Sequence, residues 1–290
     1  MSTLCSYVGI SRQGYYKDRH VRSLYEIRED IILELVRKKR TLHSKMGCRK
    51  LHHELRADMQ KLGIYIGRDR FFKLMKSHGM LIKRRRKYTR TTDSNHPFRK
   101  YPNLFKDIEW EGPNQAWVSD ITYIKSREGT MYLSLITDAY SRKIVGYEVN
   151  DTLESEGCVK ALKRAMKQLS PGELPLHHSD RGLQYCSHAY TSLLIDRGLS
   201  ISMTEDNHCY ENAMAERVNG ILKHEYALKE SFPNKQIARK ACKQAIYLYN
   251  TGRPHLALNM RYPEQVHQGR KKAIAYPNFL TEVRGEMCQL

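Results

Sequence analysis

Proline is missing from the first 96 residues; all nine prolines lie from Pro97 onward. Nothing in that third therefore forbids long helices. Acidic residues are scarce there as well. Residues 1–106 hold 27 Lys and Arg against nine Asp and Glu, whereas the remaining 184 hold 23 against 22. Nearly all of the net charge of +19 thus sits at one end, the footprint of a module that binds a polyanion. No amphipathic segment with a Trp- and Phe-rich face accompanies that charge, which argues against a membrane surface as the polyanion. No run of 18 apolar residues exists, so a membrane-spanning helix is excluded. The N-terminus lacks the apolar stretch of a signal peptide, and the chain is expected to stay in the cytoplasm. Seven cysteines are present without one Cys-x-x-Cys pair, so neither a disulfide framework nor a zinc finger is signalled. The paired His52 and His53 with the lone Cys48 lack zinc-ligand spacing and read as surface or DNA-facing.

What the chain does have is three acids in places that packing does not explain. Asp120 interrupts the β-forming run Trp117-Val118-Ser119-Asp120-Ile121-Thr122-Tyr123-Ile124, where a buried carboxylate is costly without a cation or donors. Asp180, in His178-Ser179-Asp180-Arg181-Gly182, stands where a short strand ends and a loop begins. Glu216 lies in a helical pattern. Taken singly, Asp120 has a reading as a solvent-facing strand residue, Asp180 as a turn residue before glycine, and Glu216 as helix surface. Taken together, with 59 residues between the first pair and 35 between the second, two strand carboxylates and one helix carboxylate can converge on a pair of divalent cations. That arrangement suits phosphoryl transfer.

Several local words strengthen this. They are Trp117-Val118-Ser119-Asp120-Ile121-Thr122-Tyr123, Asp138-Ala139-Tyr140-Ser141-Arg142-Lys143-Ile144-Val145-Gly146, His178-Ser179-Asp180-Arg181-Gly182-Leu183-Gln184-Tyr185, Asn212-Ala213-Met214-Ala215-Glu216, Leu222-Lys223-His224-Glu225 and Tyr249-Asn250-Thr251-Gly252-Arg253-Pro254-His255. With these in order over nearly its whole length, the chain resembles the second-reading-frame transposases of IS-three-type bacterial insertion sequences, whose core is similar to retroviral integrases. One departure is Glu211, where the family usually has Asp before the Asn-Ala pair.

In chain order, a first segment from Leu4 to Tyr16 reads as a helix remnant, a turn at Gly9 and a second helix capped by Ser11. A separate helix over 26–40 is expected to bury Ile27, Ile31, Leu35, Ile32 and Val36. Helices over 49–61 and 68–77 follow around Gly63 and Gly67. The second is short and basic, and Arg68, Arg70, Lys73 and Lys76 are its candidate DNA contacts, as in a recognition helix. A solvated basic face is the alternative. Lys83, Arg84, Arg85, Arg86 and Lys87 open a basic linker that would track phosphates. These features divide the chain into a helix-turn-helix-like region at 1–82, a linker at 83–106, a core at 107–270 and a tail at 271–290. The core reads as strands at 116–125, 130–137 and 142–149, a helix at 154–169, a strand at 174–178, a helix at 187–197, a strand at 199–203, and helices at 210–229 and 235–250. That order predicts an α/β domain with a mixed five-stranded sheet and flanking helices; the resemblance implies the ribonuclease H-like fold. Arg253-Pro254-His255 and Arg261-Tyr262-Pro263-Glu264 read as an extended arm.

The resemblance implies DNA strand cleavage and strand transfer, with Asp120, Asp180 and Glu216 as catalytic metal ligands. It implies two Mg²⁺ ions per site, with Mn²⁺ able to substitute, since Mg²⁺ prefers oxygen ligands. Lys223, two turns from Glu216, and Arg253 join the candidate DNA contacts, while His178 and Arg181 shape the Asp180 loop. Expected partners are duplex DNA, further copies of the chain on it, and an upstream-frame helix-turn-helix protein. Three other readings stay open: a serine recombinase through Ser179, a nuclease of the same fold that does not join strands, and a DNA-binding regulator without catalysis. The presence of all three acids argues against the last.

Overall fold

The computed structural model describes residues 2–82, 97–106, 108–205 and 212–269. Two compact units divide between residues 84 and 85. The basic run Lys83, Arg84, Arg85, Arg86 and Lys87, the acid Glu211 and the tail 271–290 fall outside the described residues.

The first unit is helical. Helix α1 (Ser2–Tyr7) turns at Gly9 into α2 (Arg12–Leu42), whose Ser11 cap accepts a hydrogen bond from the Gly14 amide at 3.0 Å. The two helices expected over this stretch are one continuous helix of 31 residues. The apolar period fades between residues 17 and 25, but no breaker interrupts the chain, so the helix runs on. Its buried face is also rotated from expectation. Ile32, Leu33 and Val36 enter the core, while Ile27 stays 53% exposed. Helices α3 (Cys48–Lys61) and α4 (Arg68–Ser77) close over that face with Leu51, Leu55, Met59, Phe71, Leu74 and Met75. A nearly buried ion pair, Lys39 to Glu54 at 2.6 Å, ties α2 to α3. His52 is structural: its Nε2 lies 2.9 Å from the Ile66 carbonyl and its ring meets the edge of Phe71.

The second unit is a five-stranded mixed sheet. Its strands are β1 (Ala116–Ser126), β2 (Gly129–Asp138), β3 (Ile144–Asn150), β4 (Leu176–Ser179) and β5 (Ile201–Met203), in the order β3-β2-β1-β4-β5. The first three form an antiparallel meander, and β4 and β5 add in parallel beyond β1. Alternate side chains leave the sheet on opposite faces. Ile124, Met131, Leu133 and Leu135 meet α8 (Ala213–Glu225) and α9 (Lys235–Gly252) on one face. Trp117, Ile136 and Val145 meet α5 (Ser155–Met166) and α7 (His188–Asp196) on the other, with the single turn α6 (Leu183–Cys186) before α7. Helix and sheet approach so closely at Gly146 that an added Cβ would lie 2.4 Å from the Ala161 carbonyl oxygen. This is the ribonuclease H-like arrangement expected from the motif order.

The differences are local. Strand β3 starts two residues late, because Asp138 organises the preceding turn; its carboxylate accepts from the Ser141 amide and hydroxyl and from the Asn114 amide. Burial pushes that carboxyl up, yet these bonds and the His267 imidazole 3.8 Å away hold it below the usual range. Helix α8 ends at Glu225, before Ala227 turns into the left-handed region. The arm after residue 252 is folded and not simply extended. It forms a 3₁₀ turn (Leu256–Leu258) and α10 (Pro263–His267), pinned by Lys143 to Glu264 at 3.0 Å.

Candidate active site

The geometry begins with strand register. Val118 of β1 pairs with His178 of the parallel strand β4. Asp120 and Asp180 each stand two residues beyond that pair, so they emerge level and on one face of neighbouring strands, whose spacing is roughly 4.8 Å. Asp180 is the first residue past β4. Helix α8 crosses this face and brings Glu216 in its first turn.

The charges of the three acids act on one another. The Asp120 carboxyl is pushed up to about 7, first by burial and then by the charge of Asp180, with a smaller push from Glu216. Glu216 is raised by burial and by Asp180. Two donors oppose the rise at Asp120: its own Oδ1 accepts from the Ile121 amide at 2.8 Å, and its Oδ2 accepts from Asn219 Nδ2 at 2.6 Å. Among the described residues, no three His, Cys, Asp or Glu side chains are closed into a ready ligand cluster. The donor set itself, three carboxylates on one face, suits a hard divalent cation and offers nothing to a soft one.

The surroundings hold the acids in place. Asn212, one turn before Glu216, donates from Nδ2 to the Ser119 carbonyl at 3.0 Å. With Asn219 it fastens α8 to β1 on either side of Glu216. Asn219 carries no local signal in the sequence, because its role depends on contact with a residue 99 positions away. Asp180 Oδ1 accepts from the Gly182 amide at 3.0 Å, and a Cβ on Gly182 would press on that same oxygen. Beneath the site, on the opposite face, buried His177 Nε2 lies 2.7 Å from Ser119 Oγ and 2.8 Å from Tyr190 OH. Burial holds its imidazole down to about 3, so it is neutral. His178 Nδ1 meets Ser202 Oγ at 2.8 Å and its ring stacks on Phe105, which makes it part of the wall.

The candidate DNA contacts separate. Lys223 is half-buried on the site side of α8; burial lowers its pKa, while the Asp120 charge raises it. Arg253 does not reach a surface. It is 3% exposed, and its Nε and Nη2 bind both oxygens of Glu225 at 2.7 and 2.6 Å. It locks the arm to α8. In the helical unit Arg68, Arg70, Lys73 and Lys76 are all exposed on α4. Arg68 pairs with Asp69 at 2.8 Å, and Arg70 lies over the Tyr25 ring at 4.9 Å. No helix among the described residues is long and apolar enough to cross a membrane.

Comparison with known proteins places this geometry in context. Family models described as "Integrase core domain" match residues 111–209 and 197–263. The chain is 35% identical over 278 residues to an insertion element IS600 uncharacterized 31 kDa protein of Shigella sonnei, covering 91% of this chain and 99% of the relative. It is 32% identical over 257 residues to the transposase for insertion sequence element IS629 of Shigella sonnei, covering 86% and 85%. The InsF transposase of insertion sequence IS3A from Escherichia coli (strain K12) is 28% identical over 275 residues, covering 91% and 93%. Among solved structures, the HTLV-2 integrase catalytic core domain in complex with magnesium (trimeric form) superposes with a TM-score of 0.43 at 20% identity, over 54% of this chain and 97% of that one. A simian T-cell lymphotropic virus intasome gives 0.48 at 17%, over 80% and 79%.

Proposed function

Because the chain belongs to the insertion-sequence transposases that carry an integrase core, we propose that Asp120, Asp180 and Glu216 form its active site and hold divalent metal there. As a transposase of this type it acts on DNA, cleaving strands and transferring them as an insertion sequence moves. The observation that carries the site assignment is the level placement of Asp120 and Asp180 on neighbouring parallel strands beside Glu216.

Mg²⁺ is the ion these oxygens fit, with Mn²⁺ as a substitute and two ions per site. When bound, the metal supplies Lewis-acid activation of the attacking oxygen and stabilisation of the departing one. The protein's own residues prepare that site. Asp120 stands within β1 and Asp180 directly past the end of β4, so the register of the two strands sets where both acids leave the sheet. Asn219 orients Asp120, and the Gly182 amide orients Asp180. Lys223 supplies a positive charge on the same side for a phosphate. The exposed basic face of α4, with the basic run 83–87, provides the phosphate contacts that hold DNA irrespective of sequence. Regions 1–82, 83–106 and 107–270 then divide the work into binding, linking and chemistry, and the active form is an oligomer on DNA, together with an upstream-frame helix-turn-helix partner in a bacterial cytoplasm.

The test separates joining from hydrolysis. Labelled duplex ending in the element's own terminus, with a free 3′-hydroxyl, is incubated with the full chain, target plasmid and Mg²⁺. Covalent transfer of label into plasmid is expected. Release of short fragments without transfer would leave a nuclease of the same fold.

A further inference from the structure

Helix α2 is apolar on two sides, and the helical unit uses only one. Its buried face carries Ile32, Leu33 and Val36. A second stripe runs along the other side through Tyr16, His20, Leu24 and Ile27, three or four residues apart and therefore stacked on one face, and ends at Ile31, which also packs partly against the unit's own core. Tyr16, Leu24 and Ile27 are 45%, 42% and 53% exposed. No residue of α2 before Ile32 is buried. A helical stretch that long without tertiary cover is marginal in water, and a helix apolar on two faces is built for a second neighbour.

We propose that this stripe pairs with the same stripe on a second copy of the chain, the two α2 helices running antiparallel about Leu24. Charge selects the occupant and the direction. Along one edge of the stripe lie Arg12 and Arg19 in the first half of the helix and Asp30 and Glu34 in the second, all exposed, with Glu34 also 3.5 Å from Arg37 of its own helix. An antiparallel pair centred on Leu24 sets Arg12 and Arg19 of one copy against Glu34 and Asp30 of the other. The same centre brings Tyr16 to Ile31, His20 to Ile27 and Leu24 to its own counterpart. A parallel pair would set arginine beside arginine and acid beside acid, and DNA along this edge would meet the acids. The contact is isologous, so each ion pair occurs twice.

The test is the mass of the full chain in solution without DNA, by multi-angle light scattering at low salt. Twice the 34.0 kDa chain mass is expected. The double variant Leu24→Asp/Ile27→Asp should have the single-chain mass, losing at most the helical signal of the uncovered first half of α2 while the core built on Ile32, Leu33 and Val36 keeps its melting transition. Arg19→Glu and Asp30→Arg should each weaken pairing by about tenfold, since two symmetric contacts are inverted at once, and together should restore it. Oxidised Leu24→Cys should give a disulfide-linked dimer absent from the unaltered chain, and Arg12→Cys should not. A single-chain mass for the unaltered protein at micromolar concentration overturns the proposal. So does a dimer that survives Leu24→Asp/Ile27→Asp, or a charge-swapped double variant that stays apart.

Discussion

Replacing Asp120 by Asn should stabilise the metal-free core at neutral pH, although it removes a residue central to the chemistry. The folded carboxyl sits at about 7 against an ordinary 3.8, so folding favours its protonated form. Below about pH 4 both states are protonated and there is no penalty. Between about 4 and 7 the unfolded chain ionises first, and the fold loses stability as pH rises. Above 7 the full penalty stands. At about 1.4 kcal/mol per pH unit this amounts to about 4 kcal/mol. Asparagine removes it but exchanges a charge-assisted hydrogen bond from Asn219 for a neutral one, which costs back about 1–2 kcal/mol. Geometry permits the neutral bond, because Asn219 Oδ1 has no partner at present and a turned amide can accept from an asparagine at position 120. The net gain is then about 2 kcal/mol, or about 4–8 °C in the melting temperature of a domain this size. Both tryptophans, Trp110 and Trp117, lie in the second unit, so tryptophan fluorescence in chelator follows the core alone. The gain should be present at pH 7.5 and absent at pH 4.5. Excess Mg²⁺ should raise the unaltered protein's melting temperature more than the variant's, because metal relieves the same repulsion. Equal melting temperatures at pH 7.5, or the same gain at both pH values, would refute the reasoning.

Three further outcomes follow from the contacts. Arg253→Ala should cost roughly 3–5 kcal/mol by taking its guanidinium away from Glu225, while replacing both partners, Arg253→Met with Glu225→Leu, should cost much less; denaturant melts measure both, and DNA affinity per folded molecule should be unchanged. Lys73→Ala and Lys76→Ala should each weaken duplex binding across unrelated sequences and lower the salt slope by about one; a loss confined to one sequence would instead mean base reading. Gly182→Ala should reduce strand transfer more than it reduces stability, since its Cβ presses on Asp180 Oδ1; a full-activity variant would show that this oxygen is free to move.

How much of this was legible in the sequence depends on how local the cause is. The limits of α4 follow from Gly67 and the short basic-apolar pattern, and the strands from β-branched runs and the Gly129 hairpin. The continuity of α2 did not show, because none of residues 17–25 is buried, so the stretch lacks the core-facing period that marks residues 32–36. Glu225 pairs with a cation, Arg253, at the end of α8. Its partner, Arg253, looked like a phosphate contact, because burial of a residue 28 positions away leaves no local trace. Asp120 and Asp180 were recognisable by their words, but their level placement comes from the pairing of β1 with β4. Asn219 had no signal of its own beyond lying one turn from Glu216.

The central claim, that Asp120, Asp180 and Glu216 act as one metal site, is tested most directly by glutamate exchange along α8. Glu216→Gln, assayed with Asp120→Asn and Asp180→Asn on labelled terminal DNA in Mg²⁺, should lose both cleavage and strand transfer. Each should bind DNA as the unaltered chain does, and Glu211→Gln should keep substantial activity. An active Glu216→Gln protein beside an inactive Glu211→Gln protein would contradict the account and make Glu211 the third ligand.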